Sequence, residues 1–467
     1  MADNNIIRIV TSLATGSAQA ADYSTLLIVD TNHNSLTRVV QYTNSDYTTV
    51  AAGTPLRKAL TSAFSATVKP PLVLAGRAKG TTTVTPSGVA DGEVFEFSIE
   101  VADGATVTAS YTAGALDDEE AVVTGLKADI DLVTGVTDHV TATVVGTGTA
   151  AVLEISLVAS GDDYRVYGES ANIAFSFTTT EAAGDTLAAI VEQGKGFTYV
   201  VSTDHTPAYQ ASMMAACEVL RKLYFTSSAL IENINTNYDG ETAPAANDVA
   251  AVAAHNNYLY THVMYHEKAS DYPEAVRITQ FTWLEPGTSD WQYKSLSGFG
   301  VAQHPTEGRP LNDTELVNLE SKTASTILNE GNLSVVSGRT GSGNRVGTGD
   351  RIEHVAWGLY AESKLTQRLR TLKFRKHKLG MNDSDINLVK GTMESWLGTQ
   401  ISQPGNAKAI NPQAKWVIEF PKAKDLSFES QSSGLLEAIT ATVYMDASID
   451  AIHVVPLTLT FTDVAEV

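Results

Sequence analysis

The chain has 467 residues and a formal net charge of −21, with 43% hydrophobic and 18% charged residues. This apolar content excludes a disordered protein, and the length predicts about three domains. A single cysteine, Cys217, excludes an intramolecular disulfide and a cysteine-rich metal site, and no apolar run approaches the ~20 residues of a membrane span.

The amino-terminal segment lacks the basic and apolar regions of a signal peptide, so we expect a protein that folds in a cytoplasm. A β-branched run at 4–13 predicts a strand, and small polar residues at 14–21 predict a flexible connector after it. A second strand is predicted at 24–30, followed by helix and strand signals up to residue 75. Because terminal segments fray unless something holds them, the first strand needs a partner elsewhere.

Residues 77–185 are predicted to form an inserted, acidic, β-rich surface domain. Between residues 77 and 190 there are 18 acidic and 4 basic residues, a balance that repels nucleic acid and favours an exposed location. The tract at 79–83 is predicted as a linker. A helix is predicted at 117–132, with one apolar face made of Val122, Val123, Leu126 and Ile130. The predicted strands are 94–101, 105–111, 140–145, 150–158 and 172–179.

Strands and helices alternate from residue 186 onwards, as in an α/β layer fold. The predicted elements are a strand at 197–202, a helix at 208–225, a strand at 226–231, a helix at 247–256 and a strand at 258–265. Residues 186–300 are therefore predicted to form a middle α/β domain together with 21–76. Cys217 falls inside the first helix, where we expect a small buried hydrophobic residue.

A C-terminal domain is predicted at 301–450. Its first helix opens with Asn312 and Glu315 at the spacing of a capping box. Its inward face is predicted to comprise Leu316, Leu319, Thr323 and Ile327. The elements predicted after it are strands at 333–336 and 352–357 around a Gly-rich turn, helices at 359–374 and 383–401, and strands at 415–420 and 436–445. The fold class is thus α+β, multidomain, with an α/β layer core, a C-terminal α+β domain and an inserted β-rich domain.

The last predicted strand, 452–462, has the sharpest alternation in the chain. Leu457, Leu459 and Phe461 alternate with threonines, which is the period of two expected of a strand. Pro456 lacks an N–H and marks an edge or the start of a paired stretch. A strand at this end of the chain, like the one at 4–13, is an unsatisfied edge unless it pairs.

Possible catalytic motifs are weak. The Gly-rich tract at 338–350 has the glycine content of a phosphate loop, but it lacks the Gly-Lys-Ser/Thr ending. It is predicted to lead into a strand where a phosphate loop leads into a helix. A flexible hairpin tip is the favoured interpretation.

Two groups of histidines are the remaining candidates for chemistry. His262 and His266 have the i, i+4 spacing of zinc ligands on a helix, but their segment is predicted as a strand, which places them ~13 Å apart. Asp204 and His205 follow a strand with Ser202 nearby, yet no nucleophile-elbow motif supports a catalytic triad. We therefore expect no enzyme, no cofactor and no metal site.

The predicted helix at 359–374 is basic. Ten lysines and arginines and three acidic residues lie between residues 339 and 378. Three leucines, Leu365, Leu369 and Leu372, are expected to face inward, with Lys364, Arg368, Arg370 and Arg375 available elsewhere on the helix. A solvated polar face is one interpretation. The other is contact with an acidic protein partner, which fits the overall charge better than nucleic acid does.

The C-terminal third resembles a known family. The residues that carry the resemblance are Leu-Asn-Asp-Thr-Glu from residue 311, Leu-Asn-Glu-Gly-Asn-Leu-Ser-Val-Val-Ser-Gly-Arg-Thr-Gly at 328–341, and Arg-Ile-Glu-His-Val at 351–355. With the helices and strands that follow, they resemble the C-terminal domain of contractile tail sheath proteins of bacteriophages. The resemblance covers 300–462, and more loosely 1–75 and 186–300, while 77–185 has no counterpart.

This resemblance implies that terminal arms, 1–20 and 451–467, add strands to the C-terminal domains of neighbouring subunits. Carried over to this chain, the exchanged strands would involve Ile6, Ile7, Ile9, Val10, Val454, Leu457, Leu459 and Phe461. The basic helix is the candidate contact with the tail tube, through Lys364, Arg368, Arg370 and Arg375. Contraction would then be the relaxation of a strained lattice and would need no nucleotide.

The implied partners are other copies of the chain in stacked hexameric rings, the tail tube protein, and baseplate and tail terminator proteins, without nucleic acid or membrane. The implied location is the tail of a myovirus-type virion, assembled in the host cytoplasm. A sheath of a related injection or secretion apparatus is a close alternative. A β-rich decorating or adhesive protein of a virion surface is an alternative from another class.

Overall fold

A computed structural model describes residues 6–9, 24–32, 34–158, 163–168, 170–292, 294–329, 333–335, 339–341, 350–376, 379–427, 436 and 439–446. The structure combines α-helices with β-strands that form several separate sheets, which confirms the general α+β, multidomain class. The chain divides into two compact units, one made of residues 14–364 and the other of 1–13 with 365–467. We call them the large unit and the terminal unit.

The strands are numbered in chain order. The first nine are β1 (Ile6–Ile9), β2 (Leu26–Asp30), β3 (Val39–Tyr42), β4 (Val73–Arg77), β5 (Gly80–Pro86), β6 (Val94–Val101), β7 (Thr106–Thr112), β8 (Val140–Val145) and β9 (Val152–Leu157). The others are β10 (Tyr164–Gly168), β11 (Ile173–Thr179), β12 (Tyr199–Ser202), β13 (Leu223–Ser228), β14 (Thr261–Tyr265), β15 (Ile327–Asn329), β16 (Leu333–Val335), β17 (Trp416–Glu419) and β18 (Thr440–Tyr444).

The α-helices are α1 (Pro55–Ala63), α2 (Glu119–Asp131), α3 (Thr134–Thr137), α4 (Ala183–Glu192), α5 (Pro207–Leu220), α6 (Glu232–Asn235), α7 (Val249–His255), α8 (Pro273–Thr279), α9 (Asp313–Ser321), α10 (Ile352–Arg375) and α11 (Asp383–Gly398). Within the described residues, no helix combines the length and the hydrophobicity that crossing a bilayer requires.

A six-stranded sheet forms the centre of the large unit. Its strand order is β14-β13-β12-β2-β4-β3, and only β3 runs antiparallel to its neighbour. Every residue of β2, β4, β12, β13 and β14 is buried. Continuous burial is typical of parallel strands that are covered on both faces.

Alternate residues of these strands enter two cores, one on each face of the sheet. Leu26 and Ile28 pack with α1 and α8, whereas Leu27 and Val29 pack with α4, α5 and α7. Cys217 of α5 lies in the second core, fully buried, as the sequence predicted. Burial raises the pKa of its thiol, so the cysteine is a packing group.

The acidic inserted domain has its own core. Strands β10-β6-β7 form one sheet and β11-β5-β9-β8 form another. Helix α2 contributes Val122, Val123, Leu126 and Ile130, all fully buried, which confirms the predicted face. Asp118 caps this helix by accepting a hydrogen bond from the Ala121 N–H, so part of the acidic run has a structural use.

The predicted linker at 79–83 is wrong. Gly80–Pro86 is strand β5, with β11 on one side and β9 on the other. Thr81, Thr83 and Thr85 form the more exposed face of this strand, while Thr82 and Val84 are buried on the other face. Gly80 marks close backbone approach, because a Cβ there would lie 2.1 Å from the Thr178 carbonyl oxygen.

Polar contacts clasp the inserted domain to the six-stranded sheet within the large unit. Asn34 pairs with both backbone groups of Val166 in β10, accepting from its N–H at 3.0 Å and donating to its carbonyl. Arg77, fully buried at the end of β4, donates to the Tyr164 carbonyl at 2.8 Å and lies 3.6 Å from Asp163. Arg38 donates to Glu181 at 2.6 Å. We call this group the clasp.

The terminal unit contains the sheet β1-β18-β17, helix α11 and the end of α10. The division between the units falls inside α10, at residues 364 and 365, and differs from the predicted domain start at 301. The reason is that α9 belongs to the large unit, where Leu311, Leu319 and Ala324 are buried in the core with α4 and α5.

Several predicted elements change in kind or in length. Ile352–Arg375 is one long helix, so the strand predicted at 352–357 is wrong. Helix α5 ends at Leu220, because Arg221 is left-handed, and the next strand begins at Leu223. The capping box of Asn312 and Glu315 is confirmed. The helix it opens ends at Ser321, so Thr323 and Ile327 are not on its face.

Candidate subunit interface

The strand predicted at the amino terminus pairs with a strand near the other end of the chain. β1 runs antiparallel to β18, with Ile6 opposite Tyr444, Ile7 opposite Val443, Arg8 opposite Thr442 and Ile9 opposite Ala441. Val10 lies outside the described residues. The sheet to which β1 belongs is thus built from residues that the chain reaches only after passing through the large unit.

The register of β1 follows the burial of β18. Ala441 and Val443 are fully buried, while Thr442 and Tyr444 are half-buried. Ile7 and Ile9 hold the positions opposite the two buried residues. A shift by one residue would place Ile6 and Arg8 opposite them instead, so the position of Arg8, the one polar residue of β1, favours the observed register.

β17 is the outer strand on the other side of β18. Ile418 lies opposite Ala441 and is buried, whereas Val417, opposite Thr442, is 48% exposed. In the part of the chain that the structure describes, β17 has a strand partner on one side only. The predicted C-terminal arm, with Val454, Leu457, Leu459 and Phe461, lies outside the described residues.

The basic helix is the second half of α10. Leu365 and Leu369 are buried and Leu372 is half-buried, which agrees with the predicted inward face. Arg368 and Arg375 are exposed, and Lys364 and Arg370 are half-buried. The Lys364 ammonium lies 5.5 Å from the ring centroid of Tyr360. Phe374 is 88% exposed among these cations, so the helix end presents an apolar group as well as charge.

The Asp204-His205 segment lines an open cleft of about 1090 Å³ at the carboxyl ends of β2 and β12. This is where the chain order of the parallel sheet reverses, the usual place for a ligand crevice in α/β folds. His205 Nε2 is 2.8 Å from Oε1 of buried Glu274, a partner that sequence spacing gave no means to predict.

No catalytic triad forms around His205. The Ser202 hydroxyl donates to the Asp204 carbonyl at 3.1 Å and lies 2.7 Å from the Tyr224 hydroxyl. Asp204 accepts from the Thr206 N–H at 2.7 Å, so it caps the loop before α5. Serine, histidine and aspartate therefore face separate partners, and the three side chains do not assemble into a nucleophile and its base.

One carboxyl beneath this cleft has a shifted pKa. Burial raises the pKa of Asp30, at the end of β2, to about 6, while hydrogen bonds from the Thr203 hydroxyl and the Asn32 N–H oppose the shift. Both donors bind the same oxygen, Oδ1. The charge of this carboxylate is costly in the folded protein because it is removed from water.

The two histidines of the zinc hypothesis are buried structural groups. His262 lies in β14, with Nδ1 2.6 Å from the Arg339 carbonyl and Nε2 2.8 Å from the Ser325 hydroxyl. Burial and the charge of Arg277 lower its pKa to about 3. His266 follows the strand and accepts from the Lys268 N–H. Among the described residues no group of three potential ligands could hold a metal ion.

The Gly-rich tract leads into a helix. Its described ends meet, with Thr340 N–H donating to the Asp350 carbonyl at 2.8 Å and Arg339 bridged to Arg351, but residues 342–349 lie outside the described part. Helix α10 begins at Ile352, so the prediction that a strand follows the tract is wrong. The missing Gly-Lys-Ser/Thr ending remains the reason against a phosphate loop.

Comparison with known proteins adds no relative. A scan against protein-family models gives no match, and a search of curated proteins finds no similar sequence.

Proposed function

We propose that this protein is the subunit of a contractile tail sheath, which polymerises around a tail tube and contracts to drive the tube through a host envelope. The observation that carries the proposal is the sheet β1-β18-β17, in which a strand from one end of the chain completes a sheet from the other end. A strand that finds its partner so far away can pair in the same way with another copy.

The two outer strands of this sheet provide two places at which neighbouring subunits would be connected in a polymer. β1 covers the outer side of β18, and β17 is the outer strand on the opposite side. The predicted C-terminal arm, with Leu457, Leu459 and Phe461, would add to β17 of a neighbour by backbone pairing. One arm on each side would connect every subunit to two others.

The basic helix is proposed to face the tail tube. Arg368 and Arg375 are exposed on one helix, and Phe374 beside them is exposed as well. Charge complementarity sets the register and orientation of such a contact more than its affinity. The acidic inserted domain would lie on the outer surface, where its charge favours solubility.

The proposed role requires no catalysis. Work would come from the difference in free energy between a strained lattice and a better packed one, with the exchanged strands keeping the subunits connected. The decorating or adhesive alternative requires no polymer, and that difference makes the two roles separable by experiment.

Electron microscopy of the purified protein tests the proposal. Hollow tubes or stacked rings are expected, whereas monodisperse monomers at high concentration would favour the decorating role. Replacing Leu457, Leu459 and Phe461 together by Ser should abolish the tubes, because the apolar side of the arm is lost. The matched control replaces Thr458, Thr460 and Thr462 by Ser and should keep them. Tubes that survive the first variant would contradict donation of the C-terminal strand.

A further inference from the structure

The position of β1 on its own chain carries a consequence for assembly that rests on the proposed sheath role. β18 is the central strand of its sheet only because β1 lies on its outer side. Without β1, the backbone of residues 441–444 would form an open edge above two fully buried side chains, Ala441 and Val443. Open edges of this kind recruit strands from other molecules.

We propose that β1 is a self-capping strand. In the free subunit it closes the β18 edge of its own chain, and on polymerisation it is exchanged for β1 of a neighbouring subunit. The partner is therefore a second copy of this chain, which docks at the same four positions. The amino-terminal strand first prevents a joint between subunits and later makes it.

The equilibrium between the closed state and the exchanged state depends on contacts that the two states share. The paired positions run from Ile6 opposite Tyr444 to Ile9 opposite Ala441 within one chain, and the same positions would pair if the strand came from another chain. Only the tether differs. A strand tethered to its own chain has an effective concentration on the order of millimolar at its partner, so a dilute free subunit stays closed.

Polymerisation changes that balance because a lattice holds the neighbour's strand close to the β18 edge. The exchange still requires β1 to leave β18 first, a local opening of one short outer strand. Growth from closed subunits is therefore expected to be slow in dilute solution and to speed up once an assembled end offers an open edge.

Engineered cysteines distinguish the two states. Arg8 and Thr442 are opposite each other, and facing residues of an antiparallel pair have Cα atoms roughly 4.5–5.5 Å apart, within reach of a disulfide. The full chain with Arg8→Cys and Thr442→Cys reports the closed state through a bond within one chain. Native Cys217 is fully buried in the large unit and does not compete.

Variants with one engineered cysteine each report only the exchange of β1 between molecules. A mixture of Arg8→Cys chains and Thr442→Cys chains can form this disulfide only between two molecules. The matched control pairs Arg8→Cys with Val417→Cys, because Val417 lies opposite Thr442 on β17. It is therefore about 10 Å from Arg8 across two strand spacings, too far for a disulfide.

The expected result on non-reducing gels has two parts. The double variant forms the bond within one chain in dilute solution, and the mixed single variants form linked dimers only after tubes have grown, with the control unlinked in both states. Linked dimers in the dilute mixture would overturn the closed state. Tubes from the double variant that contain only bonds within chains would overturn the exchange.

The results that would contradict the sheath role differ from those that would contradict the self-capping strand. A chain that forms no tubes at high concentration contradicts the sheath role, and the double variant in dilute solution then tests the closed state without reference to any polymer. Absence of the bond within one chain in that sample would overturn the proposal on its own.

Discussion

The inserted domain and the sheet of the terminal unit are completed in opposite ways. All strands of the inserted domain lie between Gly80 and Thr179, and each finds its partners within that segment. The sheet β1-β18-β17 takes its strands from both ends of the chain. A sheet closed by local segments is complete in one molecule, whereas one closed by a distant strand can be completed equally well by another molecule.

The largest expected effect comes from cutting the two regions out. A fragment of residues 77–185 should melt cooperatively, because its core is its own. A fragment of 365–467 should associate or remain partly disordered, because β18 has lost β1, and a peptide of residues 1–13 should restore a cooperative monomer. Circular dichroism and sedimentation measure both outcomes. A peptide of the same composition in scrambled order is the control.

If the fragment of residues 77–185 failed to melt cooperatively, the inserted domain would not be complete within its own segment. Its closure would then depend on the clasp, in which Asn34 contacts β10 from outside the domain. The full chain with Asn34→Ala would show the same loss, and that measurement would identify the clasp as the cause.

A core substitution tests the autonomy of the inserted domain inside the full chain. Phe97→Ala removes a buried ring from its core and should lower the free energy of unfolding of this domain by about 3–5 kcal/mol. Leu132→Ala is the control, since Leu132 is 80% exposed, and should change it by less than about 0.5 kcal/mol. Hydrogen exchange locates the loss. Equal loss of protection in β18 would show that the two regions unfold together.

The pH dependence of the free energy of unfolding should differ between the two units. Asp30 binds its proton more tightly when folded, so its contribution favours folding at low pH and is lost as pH rises from about 4 to about 6. Asp30→Asn should therefore become more stable than the natural protein by about 2–3 kcal/mol between those limits. The gain belongs to the large unit, and unfolding of the terminal unit should not respond.

The control for this titration is Asp91→Asn, a change at an exposed carboxylate. Denaturant unfolding at pH 4 and at pH 7 measures the difference for both variants. A pH response of the Asp30 variant equal to that of the Asp91 variant would contradict the raised pKa.

The smallest expected effect concerns the basic helix. Reversing charge with Arg368→Glu and Arg375→Glu should weaken cosedimentation with tail tubes by about tenfold, because rim charges steer association more than they hold it. Polymers formed without a tube should be unaffected. Lys422→Glu with Lys424→Glu makes the same charge change elsewhere in the terminal unit. An equal loss of cosedimentation with both pairs of substitutions would contradict a contact between the basic helix and the tube.

Local patterns predicted much of the fold. The apolar stripe of α2 and the capping box of α9 are signals carried by neighbouring residues, and both are confirmed. The residues at the start of α10 favour a strand because Ile352 and Val355 are β-branched, yet both pack in a core against the sheet. Tertiary packing decided the helix there against local propensity.

The sites depended more on distant contacts. The alternation in β1 predicted a strand in need of pairing, but nothing near Ile7 identifies Val443 as the residue opposite it. His205 and Glu274 meet because the fold brings the loop after β12 close to the first turn of α8, and spacing in sequence does not encode that meeting. The composition of β5 does not distinguish it from a linker, because threonine and glycine are common in both.

The clasp has a bearing on how any ordered assembly of this protein would look. A domain held only by its chain ends swings, and averaging over many copies would erase it from an image. In this protein Asn34 holds the backbone of Val166, and buried Arg77 reaches Tyr164 and Asp163, so the orientation of the domain on the sheet is set. In any ordered assembly each copy would therefore hold its acidic domain at the same angle on the sheet, and the domain would remain visible in an averaged image.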